Sequence, residues 1–338
     1  MSINLGVNGF GRIGRMVLRA ALDQGLNVTG INDIADPERM AHLFKYDSVH
    51  GTYPEPVEYD GENLLIGDRT IRITNEEHPS QLPWESLGVD VAIESTGLFR
   101  DRDDAAGHHE AGADKVIISA PADNADLTVV VGVNDSEYDA DEHDVISNAS
   151  CTTNCLAPVA KALNDTFGIE SGVMTTTHGY TNSQNLLDSP RGKDFRRMRA
   201  AAESMIPTST GAATATTVVL PELEGKLDGM AIRVPVPNVS IVDFAVVLEE
   251  DVKQADIDKT IQEYASGAME GILDITDTPL VSSDYVGNPY SSIYDSDKTI
   301  VMNGNHAKLL CWYDNEWGYS NRIVDLSQII TGVREPVS

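Results

Sequence analysis

The 338 residues suffice for about two domains at the usual ~150 residues each, and 41% of them are hydrophobic, enough to fill buried cores. The formal net charge is −29, from 53 Asp and Glu against 24 Lys and Arg, and a surface of that sign repels a phosphate backbone, which argues against a nucleic-acid partner. No stretch approaches the ~18 apolar residues of a membrane span, the N-terminus lacks the basic start and apolar middle of a secretory signal, and three scattered cysteines suit a reducing compartment better than a disulfide framework. A cytoplasmic protein is expected. So large a charge excess repels itself unless salt screens it, so a halophilic, high-salt cytosol is the expected setting.

Taken in chain order, Ile3, Leu5 and Val7 alternate as a strand, and Ile13, Val17, Ala20 and Ala21 recur at helical spacing. Leu26, Val28 and Ile31 predict a second strand. Further strands are predicted over Val89–Ile93, Lys115–Ser119, Leu127–Val133 and Val145–Ser147, with a helix over Asp103–Ala111. Short apolar strands alternating with helices imply an α/β domain over residues 1–150, a doubly wound parallel sheet. Beyond residue 150 the texture changes. Leu156, Ala160, Leu163 and Phe167 form one helical stripe. Strand-like runs then follow at Gly172–Thr177, Met230–Val236, Val239–Leu248, Thr299–Met302 and Lys308–Tyr313. Few helices separate them, so an α+β domain with a mainly antiparallel sheet is expected over 151–315. Tyr319, Ile323, Leu326 and Ile330 mark an amphipathic helix in 316–338.

Three features carry chemistry. Gly9, Gly11 and Gly14 form a G-x-G-x-x-G that follows a strand and opens a helix, the context in which backbone amides and a helix N-terminus receive a pyrophosphate. Asp33 lies 19 residues after Gly14, where a carboxylate accepts from ribose hydroxyls and repels a 2′-phosphate, favouring NAD over NADP. The competing structural account is a plain glycine turn with an N-capping Asp. Cys151, within Ser150–Cys155, opens the Leu156 stripe, and a thiolate at a helix N-terminus is stabilised by unpaired N–H groups, so a depressed thiol pKa is expected. Cys155, inside that helix, is expected to be a small buried hydrophobe. His178 leaves a strand into a polar loop, a placement suited to a base if it meets the cysteine in space. No Cys/His set has zinc spacing, adjacent His108 and His109 diverge on a helix, and no metal site is expected.

These stretches resemble the phosphorylating glyceraldehyde-3-phosphate dehydrogenases of the bacterial and eukaryotic type. The resemblance rests on Asn8–Arg15, Ser150–Cys155, Thr177–Asn182, Arg196–Ala202, Ile206–Ala212, Arg233–Ser240 and Trp312–Ser320, in series along nearly the whole chain. It implies a Rossmann domain completed by the C-terminal helix, a catalytic domain, and a homotetramer. It further implies that Cys151 attacks the aldehyde, that His178 handles the proton, and that an acyl thioester is cleaved by phosphate. Thr181 and Arg233 match the site for the substrate's phosphate. Ser150, Thr152, Thr210, Gly211 and Arg197 match the site for attacking inorganic phosphate. Arg12, Ile13, Asp33, Ser119 and Asn315 match NAD contacts, and Arg199 fits an interface salt bridge better than a phosphate contact.

The sequence departs from the family pattern in places. Glu77 stands where many relatives carry Arg, Ser189 precedes Pro190 where NAD-strict relatives have Leu and so leaves NADP use open, and Arg191-Gly192 lengthens that loop. Two alternatives compete. An erythrose-4-phosphate dehydrogenase would hydrolyse the thioester, and the intact set with Thr210 and Arg197 speaks against it. A catalytically silent NAD-sensing or RNA-binding scaffold is opposed by the presence of Cys151 and His178 and by the charge.

Overall fold

The computed structural model describes residues 3–190 and 194–337. The expected loop extension at Arg191-Gly192 lies outside the described residues. The chain divides into two compact units. One comprises Met1–Val129, Asp135–Ala149 and Ser320–Pro336, the other Val130–Asn134, Ser150–Tyr319 and Val337–Ser338.

The first unit is built on a nine-stranded sheet. Its centre runs Val145–Ser147, Lys115–Ile118, Val91–Glu94, Asn4–Asn8, Asn27–Asn32 and Arg69–Thr74 in spatial order, all parallel. Leu127–Thr128 adds a parallel edge, and Asn63–Ile66 and Val57–Tyr59 add an antiparallel one. The central strands carry Leu5, Val7, Val91, Ala92 and Ile93 fully buried, as a sheet covered on both faces requires. Asn4–Asn8 is the first strand in sequence and has later strands on both sides. Its carboxyl end is therefore the switch point where a doubly wound sheet opens a crevice. The glycine turn follows it directly, and Arg12–Asp23 is the helix that turn opens. The helix Trp317–Ile330 docks its later residues on this unit, where Gln328 donates to Gln24 Oε1 (2.8 Å) and Tyr138 donates to the Ile330 carbonyl (3.2 Å).

In this unit two expected elements differ, and in the second unit the strand expected over Thr299–Met302 begins at Ser292. The helix over Asp103–Ala111 is two four-residue helices, Arg102–Ala105 and Gly107–Glu110. The break falls at Gly107, whose missing side chain lets the backbone approach Ser80: a Cβ there would lie 3.3 Å from the Ser80 nitrogen. The run Leu127–Val133 pairs only at Leu127–Thr128. It then folds back, with the amides of Val133 and Asn134 donating to the Val130 carbonyl and Gly132 at φ +84°.

The second unit holds a seven-stranded sheet in the order Ile206–Ser209, Leu227–Val234, Ile169–Gly179, Ser240–Leu248, His306–Tyr313, Ser292–Met302, Leu273–Thr276. Four of its pairings are antiparallel and two parallel. The helix Cys151–Phe167 packs on the central strands and touches Ala212–Val219 and Gln254–Ala265 beside it. Alternate sheet residues behave differently: Met174, Val242 and Phe244 are buried, whereas Val173, Met230, Ile300 and Met302 are exposed.

Candidate active site

Ala149, immediately before the nucleophile segment, sits at φ +51°, a strained position for a residue with a Cβ. Ser150 is extended and caps the next helix, its hydroxyl accepting from the Thr153 amide at 3.0 Å. Cys151 is therefore the first helical residue, half-buried, and its Sγ lies 3.5 Å from His178 Nε2. His178 is held near the end of its strand, where the parallel register pairs it with Arg233. Arg233 Nη1 lies 2.6 Å from His178 Nδ1 and donates to the Gly179 carbonyl at 3.0 Å, while Nδ1 is also 2.7 Å from that carbonyl. A guanidinium only donates. Nδ1 therefore faces a donor and an acceptor at once: accepting from Arg233 it leaves the ring hydrogen on Nε2, toward sulfur, and donating to the Gly179 carbonyl it leaves Nε2 bare.

Burial pushes the Cys151 thiol up from its ordinary value, against the opposing pull of the Arg233 guanidinium and of hydrogen bonds from Thr152. The depressed thiol pKa expected from the helix N-terminus is thus not the balance found here, because desolvation outweighs it. Burial, reinforced by Arg233, pushes His178 down to about 3. Both partners rest uncharged at neutral pH. Burial likewise lowers Arg233, opposed by Cys151 and Tyr313 and aided by Arg197, so the two guanidiniums feel each other. Beneath the pair, the Tyr313 hydroxyl lies 2.8 Å from both Thr152 Oγ1 and Thr176 Oγ1, and its ring meets the His178 ring edge-on. Cys155 is fully buried against Ser292 and the Cys311 carbonyl.

Of the other expected phosphate ligands, Thr181 bonds the Ser183 hydroxyl (2.9 Å), and Arg197 donates from Nε to Thr208 Oγ1 (2.9 Å), two residues before Thr210. Thr210 accepts from the Ala212 amide, and exposed Gly211 is the N-cap of Ala212–Val219. Thr152 is the member whose hydroxyl is committed inward, to Tyr313. Arg199 pairs with Asp188 at 2.7 Å on the surface. Asn315 follows the strand His306–Tyr313, and its Oδ1 accepts from Ser240, whose own oxygen accepts from the Gly179 amide. Ser240 follows Val239, a β-branched residue at φ +68°. Sequence reasoning gave Ser240 and Tyr313 no role; a residue that acts by bonding two partners distant in sequence leaves no local signal.

In the first unit, Gly9 has φ +91°, and a Cβ on Gly14 would lie 2.1 Å from the Gly9 carbonyl oxygen, so both glycines are required by the turn. Gly11 is exposed, with nothing within 4 Å of a Cβ position. Asp33 does not cap a helix. Its Oδ2 accepts from the Phe10 amide (2.6 Å) and Oδ1 from Ala35, while Asp36 caps Pro37–Lys45. A cavity of about 220 Å³ opens here, with Gly9, Gly11, Asp33, Glu77, Ile34 and Leu98 among its lining. Ile34 and Leu98 are 69% and 73% exposed. Two solvent-facing apolar side chains in the lining of this cavity suit a flat ring, a feature that sequence reasoning did not single out. The turn, the cradle and this cavity fit an adenine dinucleotide. Arg12 spends its guanidinium on Asp47, which its hydrogen bond and that of the His50 amide hold down at about 2 despite burial. Half-buried Ile13 follows in the same turn, and Ser119 ends the Lys115–Ile118 run with its amide on the Glu94 carbonyl. Among the described residues no group of three or more His, Cys, Asp or Glu could hold a metal ion, and no helix is long and apolar enough to cross a membrane.

A doubly wound unit with a glycine cradle, joined in one chain to a unit bearing a thiol–imidazole pair with Arg233 on the imidazole, defines a dinucleotide-binding oxidoreductase. Comparison with known proteins agrees. A family model described as the glyceraldehyde 3-phosphate dehydrogenase NAD binding domain matches residues 3–102, and one for the C-terminal domain of the same enzymes matches 150–315. Glyceraldehyde-3-phosphate dehydrogenase of Priestia megaterium is 57% identical over 98% of both chains. Glyceraldehyde-3-phosphate dehydrogenase 1 of Bacillus subtilis is 55% identical and the Geobacillus stearothermophilus enzyme 54%, each over 98% of both chains. The chain belongs to the glyceraldehyde-3-phosphate dehydrogenase family.

Proposed function

We propose that the chain catalyses the reversible, NAD-dependent oxidation and phosphorylation of D-glyceraldehyde 3-phosphate to 1,3-bisphosphoglycerate, through a thiohemiacetal and a thioester on Cys151. The observation that carries this reading is the 3.5 Å approach of Sγ to His178 Nε2 with Arg233 in contact with the same ring. Cys151 forms the S–C bond to the aldehyde carbon, and its proton passes by way of His178 to the carbonyl oxygen. For His178 to act as a base, Nε2 must be bare. The guanidinium therefore leaves Nδ1 for the substrate's phosphate, and Nδ1–H turns to the Gly179 carbonyl. Thr181 joins Arg233 on that phosphate. NAD, when bound, supplies the hydride acceptor, and Gly9, Gly11, Arg12, Ile13, Gly14, Asp33, Ser119 and Asn315 would hold it. His178 takes the hydroxyl proton as the carbon is oxidised, which leaves the thioester. Inorganic phosphate, held by Arg197, Ser150, Thr210, Gly211 and the first-turn backbone amide of Thr152, whose hydroxyl stays on Tyr313, attacks the acyl carbon, and the C–S bond breaks to release the acyl phosphate and the thiol. The thioester conserves the oxidation energy that direct hydrolysis would lose. In this reading residues 1–150 with 316–338 bind the dinucleotide and residues 151–315 perform the chemistry.

The same reading places the enzyme in the cytoplasm of a salt-loving cell, serving glycolysis or gluconeogenesis as a homotetramer. The exposed apolar face bearing Val173, Ile300 and Met302 supports self-association, since such patches mark protein contacts. A steady-state assay in concentrated KCl with the aldehyde, comparing NAD with NADP and adding or omitting inorganic phosphate, tests the activity. Acyl phosphate forms only with phosphate present, and NAD is the better acceptor; free acid as the product regardless of phosphate would instead identify the erythrose-4-phosphate type of chemistry.

A further inference from the structure

His108 has no part in the chemistry above, yet it is fully buried in the first unit. Its Nδ1 lies 2.9 Å from the indole Nε1 of Trp84 and its Nε2 lies 3.1 Å from Glu94 Oε2. An indole N–H only donates, so Nδ1 accepts, the ring hydrogen rests on Nε2, and Nε2–H donates to Glu94. Trp84 thus sets the tautomer. Trp84 is itself wedged against the sheet, because a Cβ on Gly30 would come within 2.8 Å of its ring.

Glu94 hands the constraint on. Its carboxylate also accepts from Asn8 Nδ2 (2.6 Å), from the Thr96 amide (2.9 Å) and from the Thr96 hydroxyl. Asn8 Oδ1 accepts from Asn32 (2.8 Å), and Asn32 Oδ1 from the Glu76 amide (2.8 Å). Asn8, Asn32, Glu76 and Thr96 all line the dinucleotide cavity. The glycine turn rests directly on the segment Glu94 holds, since a Cβ on Gly9 would lie 2.5 Å from the Thr96 nitrogen. We propose that His108 is a positioning residue for the cofactor: through Glu94 it fixes Asn8 and Thr96, and through Thr96 the Gly9 turn that receives the pyrophosphate. The proposal rests on the assignment of this cavity to NAD. In each contact from Trp84 to Glu76 a donor meets an acceptor, and a satisfied buried network of this kind is rigid.

Calorimetric titration of NAD into the full-length enzyme, with no aldehyde present, tests it. His108→Gln places an amide N–H near the position of Nε2 and keeps the donation to Glu94 while giving up Trp84. His108→Asn keeps a group facing Trp84 and loses Glu94. The asparagine variant is expected to raise the NAD Kd on the order of tenfold and the glutamine variant less than about twofold, the loss of one buried hydrogen bond against its retention. Their melting temperatures should be similar, a split that a merely structural histidine would not produce. Equal Kd values for the two variants would overturn the relay. If the asparagine variant does not fold, Glu94→Asp takes its place: a raised Kd supports the relay and an unchanged one overturns it. A flat wild-type titration would overturn the cofactor assignment itself, whereas normal wild-type binding with indistinguishable variants overturns only the role of His108.

Discussion

His178 occupies a place where a charged imidazole is penalised twice, by burial and by Arg233, and the consequence reaches stability as well as chemistry. In the unfolded chain a histidine takes up a proton near pH ~6.5, while in the fold it resists until about pH 3. Between those values the unfolded state binds more protons, so this residue's contribution is fully present above the upper value and is lost as the pH falls toward the lower. Relative to His178→Asn, the wild type should lose about 1.4 kcal/mol of unfolding free energy per pH unit in that window. Urea unfolding of both proteins at several pH values measures this, and parallel curves would contradict it. The residue scale is also where the sequence was least legible. The motif around Cys151 announced a helix N-terminus, and the helix begins there. It could not announce the desolvation that outweighs that helix end. Nor could it reveal the contact between Arg233 and His178, which depends on parallel pairing of strands 55 residues apart.

At the scale of elements, legibility followed periodicity and burial. The strand Val145–Ser147 was read at its observed bounds, and the alternation of Ile3, Leu5 and Val7 fell within one residue of Asn4–Asn8. The helix Trp317–Ile330 was visible because one stripe buries Tyr319, Ile323, Leu326 and Ile330. What escaped notice was polar or short. Pro37–Lys45 carries an Asp36 cap with Pro at its first turn, a start signal that outweighs its thin apolar face. The edge strand Val57–Tyr59 has no buried position to make a pattern, whereas Asn63–Ile66 and Arg69–Thr74 alternate, burying Leu64, Ile66, Ile71 and Ile73, a period-two signal that the sequence offered and that went unread. Gln254–Ala265 buries only Ile257, Thr260 and Ile261. The helix read across Asp103–Ala111 is broken at Gly107, where a Cβ would crowd the Ser80 backbone, a tertiary contact that propensity cannot report. At the cofactor end, the glycine spacing was legible because φ and close approach dictate glycine, whereas Ile34 and Leu98 come to line one cavity on loops that only the fold brings together.

Over the whole molecule the charge dominates. Only seven of the 53 carboxylate side chains are buried, so nearly all of the −29 lies at the surface, where salt screens it. The melting temperature should therefore rise by ten degrees or more, on the order of 2 kcal/mol or above, between dilute buffer and multimolar KCl. Equal melting in the two would remove the halophilic reading and leave a merely acidic protein. The chemistry as a whole turns on a covalent bond to one sulfur. Its most direct test is peptide mass analysis after the enzyme is mixed with aldehyde and NAD, without phosphate, and quenched in acid. The prediction is a glyceroyl phosphate adduct on the peptide carrying Cys151, discharged when phosphate is added before the quench and absent from Cys151→Ser, which still binds NAD. Sustained aldehyde oxidation by Cys151→Ser, or an adduct on another residue, would contradict it.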